Sequence, residues 1–131
     1  MELTLTPYGN QATLTIFGTR MTYCGLFDET GTEITAYINY SRQAVQWTFD
    51  GASNTLKLTP VSGQTYGARF NVPTGKIKYI GFFDDVSAHA SISLILRLDL
   101  QEEEIVYESP DIFDVDSVEI EGATAILEVS I

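Results

Sequence analysis

Apolar and polar residues alternate along most of this chain with a period of two. Ile92, Leu94, Leu96, Leu98 and Leu100 interleave with Ser93, Ile95, Arg97, Asp99 and Gln101. That spacing places five aliphatics on one face of a long strand, whereas a helix would scatter them around its circumference. The same alternation runs through Leu3/Leu5, Leu14/Ile16, Ile34/Ala36/Ile38, Val45/Trp47/Phe49, Leu56/Leu58, Tyr66/Ala68/Phe70/Val72 and Ala125/Leu127/Val129/Ile131. The pattern predicts strands at Glu2–Thr6 and Ala12–Phe17 at the amino end. Threonine is abundant, and β-branched and aromatic residues suit a pleated, half-buried surface.

Turn-forming residues punctuate these runs. Pro7-Tyr8-Gly9-Asn10, Glu29-Thr30-Gly31-Thr32, Asp50-Gly51-Ala52-Ser53-Asn54, Pro60-Val61-Ser62-Gly63 and Pro73-Thr74-Gly75 each carry a Gly, Asn or Pro, which supply the φ values a turn demands. Breaks at such short intervals predict an all-β protein. The expected fold is an antiparallel β-sandwich, jelly-roll or immunoglobulin-like, of ten or more short strands with essentially no helix. Only Gln101–Glu104 tolerates a helix, and it is too short to matter. No linker or low-complexity tract interrupts residues 1–131, so the prediction is a single domain.

One near-repeat stands out. Thr22-Tyr23-Cys24-Gly25-Leu26-Phe27-Asp28 and Lys78-Tyr79-Ile80-Gly81-Phe82-Phe83-Asp84 share the form x-Tyr-x-Gly-[Leu/Phe]-Phe-Asp. In strands, Tyr23, Gly25 and Phe27 share a face, as do Tyr79, Gly81 and Phe83. Glycine weakens a strand interior unless something packs close to the backbone there. An aromatic ring from a neighbouring strand over each glycine meets that condition. Asp28 and Asp84 then sit where each strand enters its turn, a favoured place for side-chain-to-backbone bonding. The two copies are equivalent strands, either in facing sheets or side by side in one sheet.

Composition changes the picture mainly by exclusion. The chain has 131 residues, 44% of them hydrophobic, and a net charge of −11. Residues 1–65 hold three bases against five acids, whereas residues 66–131 hold four bases against thirteen acids. Asp99–Glu121 contains ten acids and no base. Nucleic acid and anionic membrane surfaces are therefore excluded as expected partners, since both need cationic residues. The acidic excess itself is read as a solvated, solubilising face. The first twenty residues show no pattern of a secretory leader. A single cysteine, Cys24, excludes an internal disulfide, and it reads as a small buried hydrophobe. The single histidine, His89, lies in a polar loop, Ser87–Ser91, and lacks the neighbours of a catalytic triad. Asp28/Glu29, Asp84/Asp85 and Glu102/Glu103/Glu104 are adjacent acids, but a chain this short has little room for a substrate cleft beside its core. The expectation is a non-enzyme without a cofactor. The one metal-like cluster is Asp114, Asp116 and Glu119, which would suit Ca²⁺ if a loop drew them together, although the glycine of an EF-hand turn is missing.

Four segments in order resemble a family of small bacteriophage virion proteins, variously tail-fibre, head-fibre or minor structural proteins. Tyr40-Ser41-Arg42-Gln43-Ala44-Val45-Gln46-Trp47 is similar to its Tyr-x-Arg-x-Ala-Val-x-Trp segment. Tyr79–Asp84 resembles its aromatic-Gly-aromatic-Phe-Asp strand, Tyr23–Asp28 its earlier Tyr-Val-Gly-Leu strand, and Asp116–Val129 its closing stretch. Many members begin with an apolar helical segment, and the two strands expected here at the amino end depart from that. The resemblance implies no catalytic residues. It implies a compact capsid-decoration, head-fibre or tail-associated module located in the virion. Its partners would be other virion proteins and copies of itself, with a trimer the favoured homo-oligomer. The alternative is a β-sandwich module binding carbohydrate or a host receptor, with Tyr37, Tyr40 and Trp47 as stacking residues.

Overall fold

In the computed structural model, which describes residues 1, 4–85, 94–100, 105–121 and 124–130, the alternating segments pair into antiparallel sheets. The order is α1 (Pro7–Arg20), β1 (Tyr23–Phe27), β2 (Gln43–Ala44), β3 (Trp47–Asp50), β4 (Thr55–Leu58), β5 (Ala68–Val72), β6 (Gly75–Ile77), β7 (Tyr79–Phe83), β8 (Leu94–Asp99), β9 (Ile105–Tyr107), β10 (Asp111–Glu121) and β11 (Thr124–Ser130). One sheet runs β2-β1-β7-β8 and a second β11-β10-β4-β3, while β6 and β9 form a small ladder of their own. The eleven residues of β10 organise the second sheet. On one side β10 holds β5 along Asp111–Val115 and β4 at Glu119 and Ile120, and β11 follows its other side. With 49% strand and 12% helix among the described residues, the molecule has the expected sandwich-like all-β architecture.

Alternation decides which residues fill the core. Ala68, Phe70 and Val72 of β5 point inward while Arg69 and Asn71 point out. Cys24, Leu26, Ile80 and Phe82 of the first sheet join them with Leu56, Leu58, Phe113, Val115, Val118 and Ile120 of the second in one apolar cluster. Each such large side chain contributes about 1.5–3 kcal/mol when it leaves water. The turn Asp50–Asn54 joins β3 to β4 with Asn54 at φ 57°, a conformation asparagine tolerates.

The amino end differs from the expectation. Pro7–Arg20 is a helix, not a turn followed by a strand. The Thr6 hydroxyl accepts the Gly9 N–H at 3.0 Å, and Pro7 follows it at the start of the helix, where a missing N–H costs nothing. Asn10, Leu14, Phe17 and Gly18 form the inward stripe. Asn10 Nδ2 donates to the Asn54 carbonyl, and Gly18 lets the helix approach Leu56 and Trp47. Two of those four positions are not apolar, so the helical period is invisible to a count of hydrophobic residues. Thr13 and Thr19 bond back to carbonyls four residues earlier, so β-branched residues are accommodated in the helix.

A second difference lies at Ile34/Ala36/Ile38. These residues form successive turns, not a strand, and Ile38 is exposed. Glu33 makes a single bridge to Phe27, after which Tyr37 N–H bonds to Ile34 and Tyr40 N–H to Tyr37. The expected strand through Ile92 is described from Leu94 onward. His89, the Ser87–Ser91 loop and Gln101–Glu104 lie outside the described residues.

Tyr107 of β9 is 4% exposed and packs beside Phe113 with ring centroids 6.3 Å apart. Its hydroxyl has no hydrogen-bond partner among the described residues. Burial, and then Asp111 and Asp114, push that hydroxyl's pKa up. A buried group without a partner costs about 1–3 kcal/mol. Tyr107→Phe is therefore expected to leave the urea-unfolding midpoint unchanged or raised. A loss of more than about 1 kcal/mol would show that the hydroxyl makes a stabilising bond.

Candidate functional site

The near-repeat forms two neighbouring antiparallel strands of one sheet. Gly25 stands directly opposite Gly81, Tyr23 opposite Phe83 and Phe27 opposite Tyr79. The arrangement is therefore close to two-fold symmetric about the glycine pair. Phe83 lies diagonally over Gly25 and Phe27 over Gly81, and the two rings stack at 5.9 Å and 16°. A Cβ on Gly81 would lie 2.5 Å from Phe27 Cε1. Both glycines are thus required by close approach. The opposite face of the same strands carries Cys24, Leu26, Ile80 and Phe82 into the core. Burial, followed by the charge of Glu33, raises the Cys24 pKa and keeps it a thiol, as expected for a buried hydrophobe.

A polar clamp closes over this aromatic layer. The loop after β1 returns along the sheet and brings Glu33, Tyr40 and Arg42 above Gly25. Arg42 Nη2 donates to Glu33 Oε1 at 2.7 Å and Arg42 Nε to Oε2 at 2.9 Å. The two side chains are only 2% and 4% exposed. The Tyr40 hydroxyl donates to Glu33 Oε2 at 2.6 Å and accepts the Leu26 N–H at 3.0 Å. Tyr40 thus stands in for a strand where β2 no longer pairs with β1. Burial, and then the bond to Glu33, push its pKa up. The Arg42 guanidinium lies 3.6 Å from the centre of the Phe83 ring and donates through Nη1 to the Asp85 carbonyl. A Cβ on Gly25 would lie 2.7 Å from the Tyr40 hydroxyl and 2.8 Å from Glu33 Oε2. Farther along the face, Arg97 covers the rings of Tyr79 and Phe27.

The two terminal aspartates act differently. Asp28 accepts from Thr30 N–H, Thr30 hydroxyl and Thr32 N–H, as the turn reading expects. Partial burial pushes its carboxyl up, but hydrogen bonds from Thr30, Thr32 and Gly31 outweigh that and hold it below 3.8. The stability it contributes is present above that ordinary value and is lost as pH falls through the lower folded value. Asp84 instead pairs with Arg20 at the end of α1, at 2.9 Å.

The stacking candidates are not grouped on one surface. Tyr40 packs on Phe70 with its hydroxyl committed to the clamp. Trp47 meets Phe82 edge-on at 4.9 Å and donates to the Met21 carbonyl. Tyr37 lies in the turn beside Asn39. Asp114, Asp116 and Glu119 lie on the single strand β10, not in a loop, so Asp114 and Glu119 are roughly 16 Å apart along it. Asp114 is held by two bonds from Arg69, and Glu119 has Lys57 at 3.8 Å. Sequence reasoning passed over Glu33 altogether, because a lone acid in a turn carries no periodic signal. It saw Arg42 only as part of a motif.

No helix among the described residues is long and apolar enough to cross a membrane. No protein-family model, curated protein or solved structure matches this chain.

Gly25→Val and Gly81→Val should each overpack the aromatic layer and lower the unfolding free energy by about 1–3 kcal/mol. Unchanged urea midpoints for both would remove structural meaning from the repeat. Glu33→Ala leaves the Arg42 charge buried without its partner, and a loss of about 3–5 kcal/mol is expected. Removing the exposed Arg20 partner of Asp84 should cost under about 1 kcal/mol. Equal effects of Glu33→Ala and Arg20→Ala in chemical denaturation would contradict the clamp.

Proposed function

We propose that this protein is a structural module of a bacteriophage particle, a capsid decoration, head-fibre or tail-associated piece that works by assembly and not by catalysis. One observation carries the reading. Three of the segments that resemble the virion family, Tyr23–Asp28, Tyr40–Trp47 and Tyr79–Asp84, meet in space as a single interlock of stacked rings, paired glycines and a buried ion pair. The segments that carry the resemblance therefore supply most of the lock, the paired glycines, the stacked rings, Tyr40 and Arg42, while Glu33 comes from the turn between the first two. The helix at Pro7–Arg20 adds support in part, because the amino end is helical as in many members, although half of its inward stripe is not apolar.

A module built this way offers its partners a tightly packed frame and an uncovered sheet edge at β11. An open edge is commonly covered by another chain, which favours docking on a larger lattice, and the resemblance favours a homo-oligomer, a trimer foremost. Quantitative mass spectrometry of purified particles should detect the protein, and particles lacking it should bind the purified chain. Its absence from particles, together with a hydrolytic activity lost on changing His89 or Asp84, would overturn the reading.

A further inference from the structure

The second sheet ends on β11, which has β10 on one side and no strand on the other among the described residues. Every second N–H and C=O of such a strand points away from its neighbour, about three of each over seven residues. Folded proteins normally guard such an edge with prolines, charges, bulges, short length or a covering element. The other described edges of the two main sheets are guarded in these ways. β2 is two residues long, β8 carries Arg97 and Asp99, β5 carries Arg69 and has β2 beside it, and α1 packs on β3. β11 spans Thr124–Ser130 with no proline, one charge at Glu128, and Ile126 65% exposed. The register shift of this hairpin, between Val115 and Ser117, faces Glu128 and Val129 but lies in β10, so the extra residue is on the inner strand and not on the open edge.

The two faces of β11 specify what would pair with it. Ala125, Leu127 and Val129 stand opposite Ile120, Val118 and Val115, so their face continues the core outward and stays partly uncovered. The other face is acidic. Ile126 stands opposite Glu119, Thr124 opposite Glu121, and Glu128 opposite Ser117. The cations on this face are committed, with Lys57 3.8 Å from Glu119 and closer, at 3.0 Å, to Asp50, and Arg69 bonded to Asp114, which stands opposite Ser130. A second copy laid antiparallel along β11 would set two such acidic faces side by side in chains of net charge −11. Like charges facing each other across a strand pair oppose the pairing.

We propose that β11 is a strand-addition edge. Its occupant is an extended segment of another protein, with apolar residues on the face beside Leu127 and Val129 and Lys or Arg on the face beside Glu128. Main-chain bonds along the open edge supply affinity, and the alternating side chains supply selectivity. This goes beyond the assembly reading and stands whether or not the partner belongs to a virion.

The test uses the full chain and two seven-residue peptides, one alternating Lys and Val, the other alternating Glu and Val. The Lys peptide should bind, with amide exchange in β11 slowed at least tenfold and affinity falling between about 50 and 200 mM salt, as screening requires. Ile126→Lys should weaken binding at least tenfold with an unchanged urea midpoint, since the side chain is exposed. Glu128→Lys should reduce the preference between the peptides. Equal binding of both peptides, no binding at millimolar concentration, or binding without protection in β11 would each overturn the proposal. So would a dimer of the protein alone that Ile126→Lys dissolves, because the occupant would then be a second copy.

Discussion

The ion pair between Glu33 and Arg42 constrains more of this molecule than any other contact. Two charges almost fully out of water hold together only where every partner is in place, because desolvation of each costs several kcal/mol. Here the carboxylate receives two bonds from the guanidinium and one from Tyr40. The guanidinium in turn rests on Phe83 and bonds to the backbone at Asp85. The pair fits only because residue 25 has no side chain. Gly25 is opposite Gly81 only because β1 and β7 are in register. Register, glycine, ring stacking and ion pair therefore depend on one another, and a slip of one residue would turn the Phe27 face into the core.

This dependence explains why a turn-rich segment is ordered without a ladder. Residues 28–42 contribute one bridge to the sheet, and their remaining hold on it is through side chains. Asp28 organises the start of the loop, and Tyr40 satisfies the Leu26 N–H that β2 is too short to reach. The segment covers both the edge of β1 and the aromatic face, so the first sheet is protected where it would otherwise be open.

Charge and packing divide the molecule differently. The clamp and the aromatic layer belong to the first sheet, while the acidic hairpin β10–β11 closes the second. The hairpin's carboxylates exceed the cations near them, with Arg69 held on Asp114 and Lys57 shared between Asp50 and Glu119. The buried ion pair of the first sheet is thus fully partnered, whereas the rim of the second is left acidic and only partly covered.

The period-two pattern by itself determined the fold class and strands β3, β4, β5, β8 and β11, because an alternating chain can bury its apolar side only as a sheet, whereas β10 escaped it because the shift between Val115 and Ser117 breaks the alternation. It also determined that Gly25 and Gly81 needed a ring above them, since a bare glycine weakens a strand. Whether the two motifs were neighbours or faced each other was decided only by strand pairing, a long-range choice that local pattern does not encode. The helix at Pro7–Arg20 was hidden because Asn10 and Gly18 occupy half of its inward stripe, where packing on Leu56 and a bond to Asn54 replace apolar burial. Ile34, Ala36 and Ile38 alternate as a strand would, yet they turn, because Tyr40 and Glu33 offer the β1 edge better partners than a ladder. Glu33 and Arg42 lie nine residues apart in a loop whose only pattern, Ile34/Ala36/Ile38, points to a strand, so nothing local announces that they meet. Their pairing belongs to tertiary structure, because only the fold can take both charges out of water at once.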